Sequence, residues 1–253
     1  MDIENTIELI VNWILDSERL VIFTGAGIST DSGLPDYRGP DGVWTRRDKG
    51  LPPPKMKVSR DKIKPNEGHY AIVDLLKINK LYYVISQNVD GLHAKSGIPF
   101  NKLSELHGNQ YFMKCLKCGK KITFEKAEWD KNKWGNGYRT SPVKKNQPKC
   151  PFCKGRIISS IVNFGDPLPE DELTEAIERS KNCDLFFVIG SSLVVTPAAN
   201  MPGIAKKNGV KLIILNLGET PYDNIADLRL FNNINSILIP VVKKVKERIA
   251  KSN

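Results

Sequence analysis

Three histidines and five cysteines are the residues of this 253-residue chain best suited to metal or proton chemistry. Four of the cysteines form two Cys-x-x-Cys pairs, Cys115 with Cys118 and Cys150 with Cys153, and His107 precedes the first pair by eight residues in "SELHGNQYFMKCLKC". With no export signal evident, two such pairs read as a tetrahedral zinc site rather than a disulfide frame. Four thiolates complete that shell, so His107 is not needed as a ligand and is left for other work. An imidazole titrates near neutrality, which suits it to taking and returning a proton. His69, in "NEGHYAIVDLL", and His93, just after "QNVDG", lack such a context and read as structural residues. Cys183 opens an apolar run and reads as a small buried hydrophobe.

A second candidate site follows the first apolar run, where "RLVIFTG" leads into "TGAGISTDSG". Glycine allows the dihedrals and the close approach that turn backbone amides toward a diphosphate, so Gly25, Ala26 and Gly27 are candidates for that role. A plain tight turn explains the same residues. The fingerprint G-x-G-x-x-G requires glycine at position 30, where Thr30 stands, and Gly33 comes three residues late, which weakens a dehydrogenase reading.

The elements that must position these residues alternate. Short apolar, β-branched runs recur in "RLVIFTG", "LYYVISQN", "DLFFVIGSS", "VKLIILNLG" and "NSILIPV", with helical signals between them. That is the rhythm of a parallel α/β sheet covered on both faces. After Pro169 the acidic Glu170, Asp171 and Glu172 and the later Arg179 and Lys181 mark a helix. The first residues predict an amphipathic helix, with Ile3, Ile7, Ile10, Val11, Ile14 and Leu15 at helical spacing. Residues 40–65, rich in proline and charge, predict no regular element and read as a functional lid or a disordered connection. Residues 111–159 break the rhythm again and read as a small zinc module that metal must stabilise. The fold expected is therefore α/β, a Rossmann-like doubly wound parallel sheet over residues 1–110 and 160–253, with the zinc-binding module of 111–159 inserted.

The composition, 40% hydrophobic and 26% charged, excludes disorder as the default, and no apolar run reaches the ~18 residues of a membrane span. The net charge of +10 is localised: residues 113–156 hold 13 Lys plus Arg against 3 Asp plus Glu, and the rest balances at 25 to 25. A bound zinc with four thiolates contributes −2 and leaves the segment near +8. Such a lobe fits an acidic partner, nucleic acid or an acidic protein; a solvated basic face explains it equally. An intracellular, cytoplasmic setting is expected, and a basic lobe fits nucleoid or chromatin association.

"GAGIST", "SGLPDYRG", "SQNVDGLH", "LSELHGN", the paired Cys-x-x-Cys, "VNFGDPLPE", "GSSLVVTPAAN" and "LNLGET" follow one another in an order that resembles the sirtuins, NAD-dependent protein-lysine deacylases. "RGPDGVWT" with "KGLPPP" further resembles the nuclear, chromatin-associated branch of that family. The resemblance spans about residues 18–240. It implies that NAD is cleaved to nicotinamide while an acyl-lysine amide oxygen captures the ribose, giving an O-acyl-ADP-ribose, with His107 as the base that takes a proton from a ribose hydroxyl. It implies that Asn88 and Asp90 hold the nicotinamide end and ribose and share in catalysis, with Gln87 and Ser29 beside them. A helix cap is the other reading of Asn88 and Asp90. The cofactor set is completed by Gly25, Ala26, Gly27, Asp36, Tyr37, Arg38, Trp44, Gly190, Ser191, Ser192, Asn216 and Leu217, although the last two groups could be ordinary turns. Val162, Asn163, Phe164 and Gly165 would form the channel for acylated lysine side chains of protein substrates, docked as an extended strand.

Tyr37 stands where the family has Phe, which adds a hydroxyl near the nicotinamide pocket, and Asp166 stands where many members have Glu. The cysteine pairs are separated by 31 residues, more than in many members. Mono-ADP-ribosyl transfer to protein and an NAD-sensing nucleic-acid or chromatin-binding module are the alternative functions. His107 with Asn88 and Asp90 favours an enzyme over a sensor.

Overall fold

The strands Leu20–Thr24, Tyr83–Ser86 and Leu185–Ile189 are buried on every residue because helices cover both faces of the sheet they form. A computed structural model describes residues 2–56, 58, 59 and 62–252. The chain begins with α1 (Ile3–Asp16), whose first turn is capped by Asp2 accepting from the Asn5 amide, and which buries Ile7, Ile10, Val11 and Ile14. Six strands then make one parallel sheet: β1 (Leu20–Thr24), β2 (Tyr83–Ser86), β3 (Leu103–Glu105), β7 (Leu185–Ile189), β8 (Lys211–Leu215) and β9 (Leu228–Leu230). Their order is β3-β2-β1-β7-β8-β9, with Ile22 opposite Val84 and Phe187. This is the doubly wound arrangement, with its order reversing beside β1, where open α/β sheets bind ligands at the carboxyl ends of the strands.

Alternate residues of each strand feed two cores. Leu20, Ile22, Val84, Phe187 and Ile213 face α1, α3 (Glu67–Lys77) and α8 (Ile234–Ser252). Val21, Phe23, Ile85, Phe186 and Ile214 face α6 (Glu170–Asn182) and α7 (Met201–Lys207). The helix expected after Pro169 is α6, its three acidic residues in the first turn.

Two expectations are corrected. The run "NSILIPV" predicts a strand, but it lies in α8, which buries Ile237, Leu238, Val241, Val242 and Val245 against α1 and α3. Those positions recur at helical spacing, and Pro240 could not have donated to a central ladder. The last strand is instead the three-residue β9. Residues 40–65 predict no regular element, yet α2 (Val43–Asp48) forms there. The amides of Val43 and Trp44, orphaned in a first turn, donate to the carbonyls of Asp36 and Tyr37 at 2.9 Å each. Positions 57, 60 and 61 of that segment lie outside the described residues.

A second sheet, antiparallel in the order β5-β4-β6, is made of β4 (Phe112–Cys115), β5 (Lys121–Thr123) and β6 (Ile157–Ser159). It carries its own small core of Met113, Ile122, Ala127, Trp129 and Ile157 with Cys115 and Cys150. The short α4 (Leu92–Ser96) and α5 (Lys131–Trp134) complete the chain. Ions join the two sheets: Lys121 of β5 sits 3.2 Å from the buried Glu105 of β3 and 2.6 Å from Glu172 of α6. Burial disfavours the Lys121 charge, but Glu172 and Glu105 overcome it and raise its pKa. Among the described residues no helix is long and apolar enough to cross a membrane.

Candidate functional site

The carboxyl ends of β1, β2, β3, β7 and β8 open into one cavity of about 620 Å³. The loops after β1 and β7 meet backbone to backbone above the sheet. The Gly25 amide donates to Ile189 O at 3.2 Å, and the Gly27 amide to Gly190 O at 2.9 Å. A Cβ on Gly27 would lie 2.7 Å from Gly190 Cα, so the glycine is required by the neighbouring loop. Of the three amides expected to turn toward a diphosphate, those of Gly25 and Gly27 are thus already bonded within the protein, which corrects that expectation for these two. Gly25, Ala26, Gly27 and Gly190 nevertheless line the cavity.

Asn88 and Asp90 leave the end of β2 and are 8% exposed each. The Asn88 Nδ2 donates to Gly25 O at 3.0 Å and to Ser29 Oγ at 3.2 Å, while Ser29 Oγ donates to Asp90 Oδ2 at 2.7 Å. Asp90 Oδ1 accepts the Leu92 amide at 2.9 Å, but the N-cap of α4 is Gly91 and no side chain caps it, so neither Asn88 nor Asp90 is the helix cap. Burial raises the Asp90 pKa against the bonds from Leu92 and Ser29. Gln87 is fixed on the cavity floor by Ser191 Oγ, which donates to its Oε1 at 2.6 Å.

His107 follows β3 and faces the same cavity. Its Nδ1 lies 3.0 Å from the Gln87 carbonyl. A carbonyl only accepts, so Nδ1 carries the proton and Nε2 is left with a free lone pair in the neutral ring. Burial lowers the His107 pKa, opposed by that hydrogen bond, and keeps the ring neutral at neutral pH. The result is a desolvated base with a fixed tautomer.

Val162, Asn163, Phe164 and Gly165, after β6, form another wall. The Val162 amide donates to His107 O at 2.9 Å, which ties that wall to the histidine. Phe164 is 81% exposed and its ring centroid lies 5.7 Å from Trp44, which in turn lies 4.9 Å from Tyr37 and under Arg38 at 4.8 Å. Burial, then the charge of Asp90, raises the pKa of Tyr37, which keeps its hydroxyl protonated. Asp36 holds the turn by accepting the Gly39 amide at 2.9 Å. Ser192, Asn216 and Leu217 line the far end, where Asn216 Nδ2 donates to Gly218 O at 2.9 Å.

The structure thus gathers every residue expected at the cofactor and substrate sites around one cavity. It also adds Asn233, Ile234 and Asn235 at the start of α8, with Asn235 donating to Asp31 at 2.6 Å. Reading that segment as a strand hides them; the pair of asparagines ahead of Ser236, one of which accepts the Asn235 amide at 2.9 Å, is the helix-start signal that could have found them.

The four cysteines form a separate centre. Their sulfurs all lie within 4.8 Å of one another, Cys115 and Cys153 at 3.4 Å and Cys118 and Cys150 at 3.8 Å. Sulfurs about 2.3 Å from a tetrahedral centre stand ~3.8 Å apart, so the quartet fits zinc. Among the described residues no other such group occurs, and His107 is not part of this one. Cys183 is buried, which pushes its pKa up to about 12 and leaves it an inert thiol.

Comparison with known proteins agrees with this architecture. The profile of the Sir2 family matches residues 53–197. NAD-dependent protein deacetylase SRT1 of Arabidopsis thaliana is 37% identical over 245 residues, covering 96% of this chain and 50% of that protein. The chain therefore spans about half the length of that plant relative. NAD-dependent protein deacylase 2 of Archaeoglobus fulgidus is 37% identical over 259 residues, covering 96% of this chain and 97% of that protein. A solved Sir2 complex with a p53 peptide and NAD+ shares the fold with a TM-score of 0.71 at 35% identity, covering 96% of this chain and 98% of that one. The chain belongs to the Sir2 family.

Proposed function

We propose that the chain is an NAD-dependent protein-lysine deacylase, which releases nicotinamide and transfers the acyl group to ADP-ribose. The carrying observation is His107, a buried neutral base with Nδ1 committed to Gln87 O, in one cavity with the Asn88–Ser29–Asp90 cluster and the exposed Phe164. NAD bound there supplies a ribose carbon that becomes electrophilic as nicotinamide leaves. Asn88 and Asp90 orient that end, beside the aromatic wall of Tyr37, Trp44 and Phe164. His107 takes the proton of a ribose hydroxyl on Nε2, the nitrogen left free by the Gln87 bond. Val162 to Gly165 receive the acyl-lysine stem.

The cysteine quartet supplies no reactive position: zinc held by four sulfurs has no open site, and it stabilises residues 111–159 as a unit set into the larger sheet. In the same proposal the chain acts inside the cell, where its thiols stay reduced, and the basic segment faces an acidic partner, nucleic acid or chromatin protein.

The test is incubation with NAD and a panel of acyl-lysine peptides, followed by mass spectrometry. Nicotinamide and an acylated ADP-ribose are expected in equal amounts. ADP-ribose attached to protein without loss of acyl groups would replace the reading by mono-ADP-ribosyl transfer; no consumption of NAD with any peptide would overturn it.

A further inference from the structure

The chain's whole net charge lies between Met113 and Arg156, where 13 Lys plus Arg meet 3 Asp plus Glu. Among the described residues only three of those bases find a carboxylate: Lys114 with Asp171, Lys121 with Glu105 and Glu172, and Arg139 with Asp166. All of these acids lie outside the segment. The other ten bases form no ion pair, and the segment's own three acids, Glu125, Glu128 and Asp130, leave them in large excess.

Apolar side chains stand among these charges and carry them. Here each cysteine turn exposes one: Leu116 between Cys115 and Cys118 is 41% exposed, and Phe152 between Cys150 and Cys153 is 51% exposed. The Phe152 ring carries the ammonium of Lys120 at 4.2 Å and that of Lys126 at 5.6 Å from its centroid. The motif repeats nearby, with Lys131 4.2 Å from the Phe124 ring and Lys133 4.8 Å from Trp134. The turns are short, and zinc on their four sulfurs would present Phe152 without the freedom of a loop.

We propose that the two cysteine turns and their lysines form a docking surface for single-stranded nucleic acid. This deepens the acidic-partner reading and stands apart from the deacylase one. An unpaired base stacks on Phe152, while Lys120 and Lys126 move from the ring to the adjacent phosphates. The exchange keeps both interactions of the lysines electrostatic and gives the ring a partner with a flat face. A duplex hides its base faces, and an acidic peptide has none, so neither uses the ring.

The experiment measures anisotropy of labelled strands with the zinc-loaded protein. The arms are oligo-dT and oligo-U of about 15 nucleotides, the matching DNA duplex, and polyglutamate of similar charge. Either single strand should bind more tightly than duplex and polyglutamate, with affinity falling steeply as salt rises. Phe152→Ala should weaken single-strand binding by about fivefold or more and leave duplex binding nearly unchanged. Lys120→Gln with Lys126→Gln should lower the salt slope by about 1.4. Zinc content and deacylation of a peptide by these variants should stay at the wild-type level, which separates a lost surface from a lost fold. Equal or tighter binding of duplex or polyglutamate, or a Phe152→Ala protein that binds single strands as before, would overturn the proposal.

Discussion

The imidazole rings of His69 and His93 lie 5.1 Å apart between centroids, and each keeps one nitrogen without a protein partner among the described residues, Nε2 of His69 and Nδ1 of His93. Neither lines the cavity, but a chain of buried polar groups links His93 to Asn88, which does. His93 Nε2 is 2.8 Å from Thr24 Oγ1, which donates to Ser86 Oγ at 3.0 Å, and the Asn88 amide donates to the same Ser86 oxygen at 3.1 Å.

That pair predicts acid sensitivity. Burial lowers the His69 pKa to about 4, and burial together with His69 lowers that of His93 well below its ordinary value. The unfolded chain takes up these protons near pH 6.5, whereas the folded chain resists them, so this stability is complete above pH 6.5 and is lost as pH falls toward about 4. His69 alone should account for about 3 kcal/mol of that loss. Urea midpoints measured from neutral pH down to about 4.5 should fall less steeply for His69→Gln than for the wild type; parallel curves would refute the assignment.

The proposed role of His107 as base has its own signature. Because burial lowers the His107 pKa, the acid limb of kcat/KM should have its midpoint below the ordinary histidine value, with the neutral ring active above it. His107→Ala should lose a factor of about 10² to 10⁴ in kcat while NAD still binds, as titration calorimetry would record.

Lys121 holds two acids together. Lys121→Met leaves the buried Glu105 and the half-buried Glu172 without a cation, which should cost about 3 kcal/mol at neutral pH. The penalty should shrink as pH falls, because burial already raises the Glu105 pKa and the acid can take up a proton. Thermal melts of both proteins across the acid range check the convergence.

Gly27→Ala places a methyl 2.7 Å from Gly190 Cα and must part the two loops. The expected cost is ~1–3 kcal/mol in stability, with NAD affinity at least tenfold weaker. An unchanged NAD affinity would show that the loops tolerate separation.

Chelation separates structure from chemistry. Removal of zinc should unfold the lobe of residues 111–159, seen as lost protection of the β4 and β6 amides in hydrogen exchange, while the amides of β1 and β7 stay protected.

Much of this was readable from residue order, for local reasons. The strands at 20–24 and 185–189 are buried on every residue, so their apolar runs are continuous. The zinc quartet is legible because ligand spacing within each turn is local. The three-residue β3 and β9 are too short to carry a pattern. In α8 the buried positions recur at helical spacing within a dense apolar run, and only the packing against α1 and α3 decides between helix and strand. The glycines of the first loop show a further limit: a residue that must lack a side chain does not reveal whether a ligand or another loop occupies the space. Here Gly190 does.

Trp44 stands in contact with two rings, Tyr37 and Phe164, which the proposed function gives to the cofactor and to the peptide respectively. A wall shared in this way makes the two ligands thermodynamic partners: whatever factor one adds to the affinity of the other, it receives back unchanged.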